Sequence, residues 1–92
     1  MMKVTFTETA ADELAEILDY IAQRNSSAAK NVALEIDRVI DHLRRFPLGA
    51  PHTERPEVRR ATLGRYPYLI FYTVGQDEII IRNVRHGARV YP

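Results

Sequence analysis

All the formal positive charge between Pro47 and Pro92 is arginine: Arg55, Arg59, Arg60, Arg65, Arg82, Arg85 and Arg89. A guanidinium is a flat fork that grips phosphate oxygens in pairs, stacks on bases and keeps its charge at any physiological pH. His86 stands among the last of them, and imidazole is the side chain whose charge changes near neutrality, so it is the best acid–base candidate. Tyr91 could stack on a base or give up a proton. These residue types suit the binding of a phosphodiester, or acid–base work on one. They do not suit thiol or zinc-thiolate chemistry, because the chain has no cysteine. His42, His52 and His86 lie too far apart for ligand spacing, so neither a cofactor nor a metal is expected.

The charge is unevenly spread. Six basic and eight acidic side chains between Met1 and Phe46 balance to −2, whereas seven basic and four acidic ones from Pro47 onward balance to +3. A basic C-terminal half is the footprint of a surface that meets nucleic acid. The plainer reading is a solvated face that happens to use arginine.

The 92 residues make one domain, 1–92, since half that length could not bury a core of its own. With 46% hydrophobic residues the chain folds rather than staying disordered. It has no apolar run long enough to span a membrane, and its first residues lack the apolar core of a secretory signal, so the cytoplasm is the expected location.

Periodicity gives the elements that must position the arginines. Lys3–Phe6 is a short β-prone run, and Thr7 can cap the helix after it. Ala10, Leu14, Ile17, Leu18 and Ile21 recur at helical spacing up to about Arg24, with Asp12, Glu13, Glu16 and Asp19 on the solvent side. Asn25-Ser26-Ser27 breaks this helix and caps the next. The second helix carries an apolar stripe of Ala29, Val32, Ala33, Ile36, Val39, Ile40, Leu43 and Phe46, and Pro47 ends it. After the proline-rich loop 47–56 come strands at Glu57–Leu63, Tyr68–Val74 and Ile79–Arg85, with turns at 64–67 and 75–78. The order is β-α-α-β-β-β. An α+β fold results, a helical hairpin packed on a mainly antiparallel sheet whose first strand adds at an edge. Alternation along the middle strand sets Phe71 opposite Tyr68, Ile70 and Tyr72, and most of these rings should bury against the helices. A bulge near Asn83 would decide which face Arg82 takes.

Taken in order, the fragments FTETAADELAEILDYIAQRN, RRFPLGAP, VRRATLGRYPYLIFYTV and VRHGAR resemble the RelE/ParE superfamily of type II toxin–antitoxin toxins, and within it the ParE-like branch. The resemblance covers nearly the whole chain. It implies a growth-inhibiting toxin held inactive by a cognate ParD- or RelB-like antitoxin that wraps along the helical hairpin and sheet edge. Ala22, Ala29 and Ala33 are small enough to permit such an approach. Operator DNA would be met only through the antitoxin, and no membrane is involved.

Two activities occur on this fold, and the resemblance carries both. RelE-like members are ribosome-dependent, metal-independent messenger RNA endonucleases. Cleavage needs a base for the 2′-hydroxyl, a cation for the phosphate and an acid for the leaving oxygen. His86, Arg60, Arg65, Arg89 and Tyr91 are the candidates for that catalytic set. The chain departs from the RelE pattern in having only Lys3 and Lys30, both outside the middle strands, and no carboxylate placed as a base nearer than Glu57. His86 also reads as a structural residue of an HGAR turn. ParE-like members inhibit DNA gyrase and lack that catalytic set. Here Arg59, Arg82, Arg85 and Arg89 would bind the target, and the fragments GRYPYLIFY and VRHGAR fit this branch better. A third reading is a non-toxic relative kept for its antitoxin.

Overall fold

The computed structural model describes residues 1–89. Strand β1 (Lys3–Phe6) leads into helix α1 (Glu8–Arg24), then α2 (Ser26–Arg45), β2 (Arg59–Leu63), β3 (Tyr66–Val74) and β4 (Glu78–His86), ending in a single 3-10 turn at Gly87–Arg89. The α+β order expected from the sequence is the order found.

Two side chains set the helical hairpin. Thr7 caps α1 by accepting the Ala10 amide at 3.0 Å, and its hydroxyl donates to the Arg82 carbonyl, which ties the helix start to β4. Asn25 closes α1 with its own amide on the Ile21 carbonyl and opens α2 by accepting the Ala28 amide at 3.0 Å. One residue serving both ends leaves no linker, so the helices return antiparallel.

The sheet runs β1-β4-β3-β2, with β2, β3 and β4 antiparallel and β1 parallel to β4 at the edge. The helices cover one face. Val32, Ile36, Val39, Ile40 and Leu43 of α2 form the core with Ala61, Leu63, Ile70, Tyr72, Ile79, Ile81 and Val84 of the strands. From α1 only Ala10 is fully buried, and Leu14, Ile17, Leu18 and Ile21 pack on the core in part. The Tyr72 hydroxyl donates to the Pro47 carbonyl at 2.8 Å, which fastens the loop after α2 to the sheet.

Three local expectations need correction. Phe46 does not join the apolar stripe; as the non-helical C-cap (φ −131°, ψ 67°) it turns outward beside His42 and stays 57% exposed. The turn expected at 64–67 is Gly64-Arg65 alone, with Gly64 at φ +68°, where a side chain would be strained. Tyr66 and Pro67 belong to β3, because the register shifts between Thr62 and Leu63 and the proline falls where the ladder asks no amide of it. Strand β2 starts at Arg59 rather than Glu57, since the residues before it form turns around Thr53, whose hydroxyl accepts the Arg55 amide.

Candidate functional site

Strand alternation separates two sets of side chains. Ala61, Ile70 and Val84 point under the helices. Their neighbours Arg60, Phe71 and Asn83 stand in one row on the opposite face, paired across three strands. The bulge expected near Asn83 is present: Phe71 pairs with Asn83 and Tyr72 with Ile81, so Arg82 is the extra residue. It is exposed, and its Nε donates to Thr73 Oγ1 at 3.1 Å, on the outer face. Loop residues 52–58 fold back along this face. The His52 ring lies 2.6 Å from the Pro56 carbonyl, and the Arg60 amide donates to Pro51. A concavity results, lined by His52, Glu54, Arg55, Arg60, Phe71, Arg82, Asn83 and Arg85.

The second feature is an open strand edge. β1 pairs with β4 only from Glu78 to Ile81. Past that point the edge of β4 turned away from β3 has no strand beside it, and α1 fills in. Glu13 Oε1 accepts the Val84 amide at 3.1 Å and Asn83 Nδ2 at 3.0 Å, while Oε2 meets Arg85 Nε at 3.3 Å. The sequence placed Glu13 on the solvent face of α1; the structure makes it the partner of a β edge. A half-open groove continues from there, lined by Glu16, Ile17, Tyr20, Tyr68, Val84, Arg85, His86 and Ala88. Tyr20 is 58% exposed, with the Arg24 guanidinium 4.0 Å from its ring centre.

The residues singled out from the sequence thus fall into separate places. Arg60, Arg82 and Arg85 share the outer concavity, and Arg85 also borders the groove. Arg59 alternates to the helix side, where its Nη1 donates to the carbonyls of Leu48 and Ala50 at 3.1 and 2.7 Å. Arg65 sits in the β2–β3 turn, 5.4 Å from the Tyr66 ring centre. Its charge helps to hold the Glu35 carboxyl below the usual range, after the larger effect of the Arg38 hydrogen bonds. His86 faces the groove, edge-on to Tyr68, and its Nδ1 accepts the Ala88 amide at 3.0 Å, so the proton of a neutral ring lies on Nε2. Tyr91 lies outside the described residues, and the Arg89 side chain is not described. Sequence reasoning missed Glu13 and the inclusion of Arg55 and His52. Loop residues carry no periodicity that could place them, and nothing in the α1 pattern distinguishes Glu13 from Glu16.

Residues 4–91 match the family described as the ParE toxin of the type II toxin–antitoxin system, parDE. The chain belongs to the ParE toxin family. A curated relative, Toxin RelE2 of Caulobacter vibrioides (strain ATCC 19089 / CIP 103742 / CB 15), is 34% identical over 94 residues, covering 98% of this chain and all of the relative. Among solved structures, the chromosomal ParDE system from P. aeruginosa superposes with a TM-score of 0.80 at 28% identity, over 94% of this chain and 96% of that one. The conserved protein HP0894 from Helicobacter pylori gives 0.63 at 17% identity, over 99% and 100%, and shares the fold alone. This ParE-like chain is therefore a toxin of a type II toxin–antitoxin system, and the family implies a cognate antitoxin. Among its described residues no helix is long and apolar enough to cross a membrane.

Proposed function

We propose that this ParE toxin inhibits growth by poisoning DNA gyrase through its arginine-lined sheet face, and that its antitoxin lies along the α1–β4 groove. The observation that carries the first part is the gathering of Arg55, Arg60, Arg82 and Arg85 on the face the helices leave open. The ribonuclease candidates are not gathered in the same way. His86 lines the groove, Arg60 the outer face, and Arg65 a turn that borders neither. The set that the resemblance implied for cleavage, His86 with Arg60 and Arg65, is thus divided between three places, which supports the gyrase reading. The second part draws on the strand-free edge of β4 beside the α1 flank of Glu16, Ile17 and Tyr20, which is the geometry that strand addition and helix-in-groove binding use.

The alternative, ribosome-dependent messenger RNA cleavage, is favoured by the relative named Toxin RelE2 and by His86 and Arg85 lining one groove. Expression without the antitoxin separates the two. Induction of the DNA-damage response with supercoiling failure and intact transcripts is the expected result; transcripts cut in the ribosomal A site with normal supercoiling would refute it. Arg82→Ala with Arg85→Ala should abolish growth inhibition while the circular dichroism spectrum is kept. Persistent toxicity of that folded variant removes both arginines from the target surface.

A further inference from the structure

We propose that the outer sheet face is a seat for single-stranded nucleic acid, with phosphates on Arg55, Arg60, Arg82 and Arg85 and a base on the ring of Phe71. This rests on reading that face as the target surface, and it names what the surface holds. Phe71 is the centre of the arrangement. Neighbouring strands lie about 4.8 Å apart, so the ring stands between Arg60 on β2 and Asn83 on β4, its partners in register. Along the strands, Arg82 is held beside Thr73, two residues beyond Phe71, and Arg85 pairs with Leu69, two residues before it. Cations therefore flank the ring along β4 at both ends, and the loop carrying Arg55 forms a wall.

The charges on this face are not equally committed, and one carboxylate, Glu54, lines the concavity with them. Arg85 and Arg55 share theirs with Glu13 and Glu57, at 3.3 and 3.8 Å. Arg60 and Arg82 have no carboxylate within ion-pair distance among the described residues. These two uncommitted guanidiniums stand on strands on either side of the half-buried ring. An acidic peptide would engage the forks and leave the aromatic floor without a partner. A nucleic acid uses both, because phosphates suit the forks and every base has a face to stack. The ring lies at the floor of a concavity, where an unstacked base can reach it; a duplex keeps its bases stacked and presents only their edges.

Fluorescence anisotropy with short labelled oligo-dT and oligo-rU, using the full chain, tests this. Both probes should bind, and a preference for one identifies DNA or RNA as the source. The logarithm of affinity should fall against the logarithm of salt by roughly 0.7 per phosphate engaged, and Arg60→Ala or Arg82→Ala should each flatten that slope by about 0.7. Phe71→Ala should weaken binding by about fivefold or more. An abasic oligomer should lose the same factor against the unaltered protein, which frees the test from any folding defect of that variant. A duplex that binds better than the single strand, an abasic oligomer that binds equally well, or poly-glutamate that displaces the probe at equal concentration overturns the proposal. The same arginine variants are run in a gyrase supercoiling assay. If the unaltered protein binds no oligonucleotide yet the variants no longer inhibit supercoiling, the seat is refuted and the target reading stands. If the variants lose oligonucleotide binding and inhibit supercoiling as before, the seat stands and the target reading fails.

Discussion

Glu13 is the residue on which strand, helix and arginine meet. A β edge left unpaired inside a protein is both a desolvation cost and a template for another chain. Here one carboxylate accepts the Val84 amide and the Asn83 side chain and holds Arg85. It is 26% exposed, so these hydrogen bonds are partly shielded from water. Glu13→Ala should cost about 1–3 kcal/mol, since it leaves polar groups without their partner. Glu13→Gln, which keeps an acceptor, should cost less. Urea denaturation measures both, and hydrogen exchange should show the Val84 amide opening faster in the alanine variant than in the glutamine one. Equal stability of Glu13→Ala and the unaltered chain would show that water replaces the carboxylate without loss. An antitoxin strand adding to this edge has to take over the same amide, so its binding should protect Val84 while releasing Glu13.

At the scale of the element, β3 links the core to the loop that shapes the outer face. Burial pushes the Tyr72 phenol up from its ordinary 10.0, while the Ala50 backbone and the Arg59 charge pull the other way. Its stabilising effect is complete below pH 10 and is lost as pH rises through the raised value, because unfolded chains ionise first. Tyr72→Phe should cost about 0.5–1.5 kcal/mol at neutral pH through the lost bond to Pro47. It should also flatten the alkaline fall in stability. The difference in urea midpoint between the two proteins, followed from pH 7 to above pH 10, reads this directly, and parallel curves would refute it. Much of this architecture was legible in the sequence. Thr7, Asn25 and the α2 stripe each mark a local rule, and local rules survive packing. The bulge at Arg82 and its bearing on facing were foreseen, but the face itself was left open, because it depends on register. Arg59 and Arg60 show the limit most clearly. They are adjacent and chemically identical, yet one staples a loop from the helix side and the other lines the open face. Only the pairing of β2 with β3 decides between them.

For the molecule as a whole, the small net charge of +1 conceals a separation across the sheet. The helices carry eight acidic and five basic side chains over one face, while Arg55, Arg60, Arg82 and Arg85 outnumber Glu54 in the concavity on the other. A body charged in this way is turned by the field of an anionic target before contact, which raises the rate of productive encounter more than it lengthens the life of the complex. Screening shortens the reach of that field to about 8 Å at physiological ionic strength. The association rate with the target should therefore fall steeply as salt rises from low to physiological levels, and the dissociation rate should change little. Arg60→Ala should lower the association rate and weaken its salt dependence. Asp12→Asn with Asp19→Asn, on the far face, should leave both close to their original values. Surface-immobilised target and stopped-flow mixing give the two rates separately. If the α1 variant alters association as much as Arg60→Ala does, the net charge rather than its arrangement governs encounter, and the sheet face loses its claim to be the leading surface.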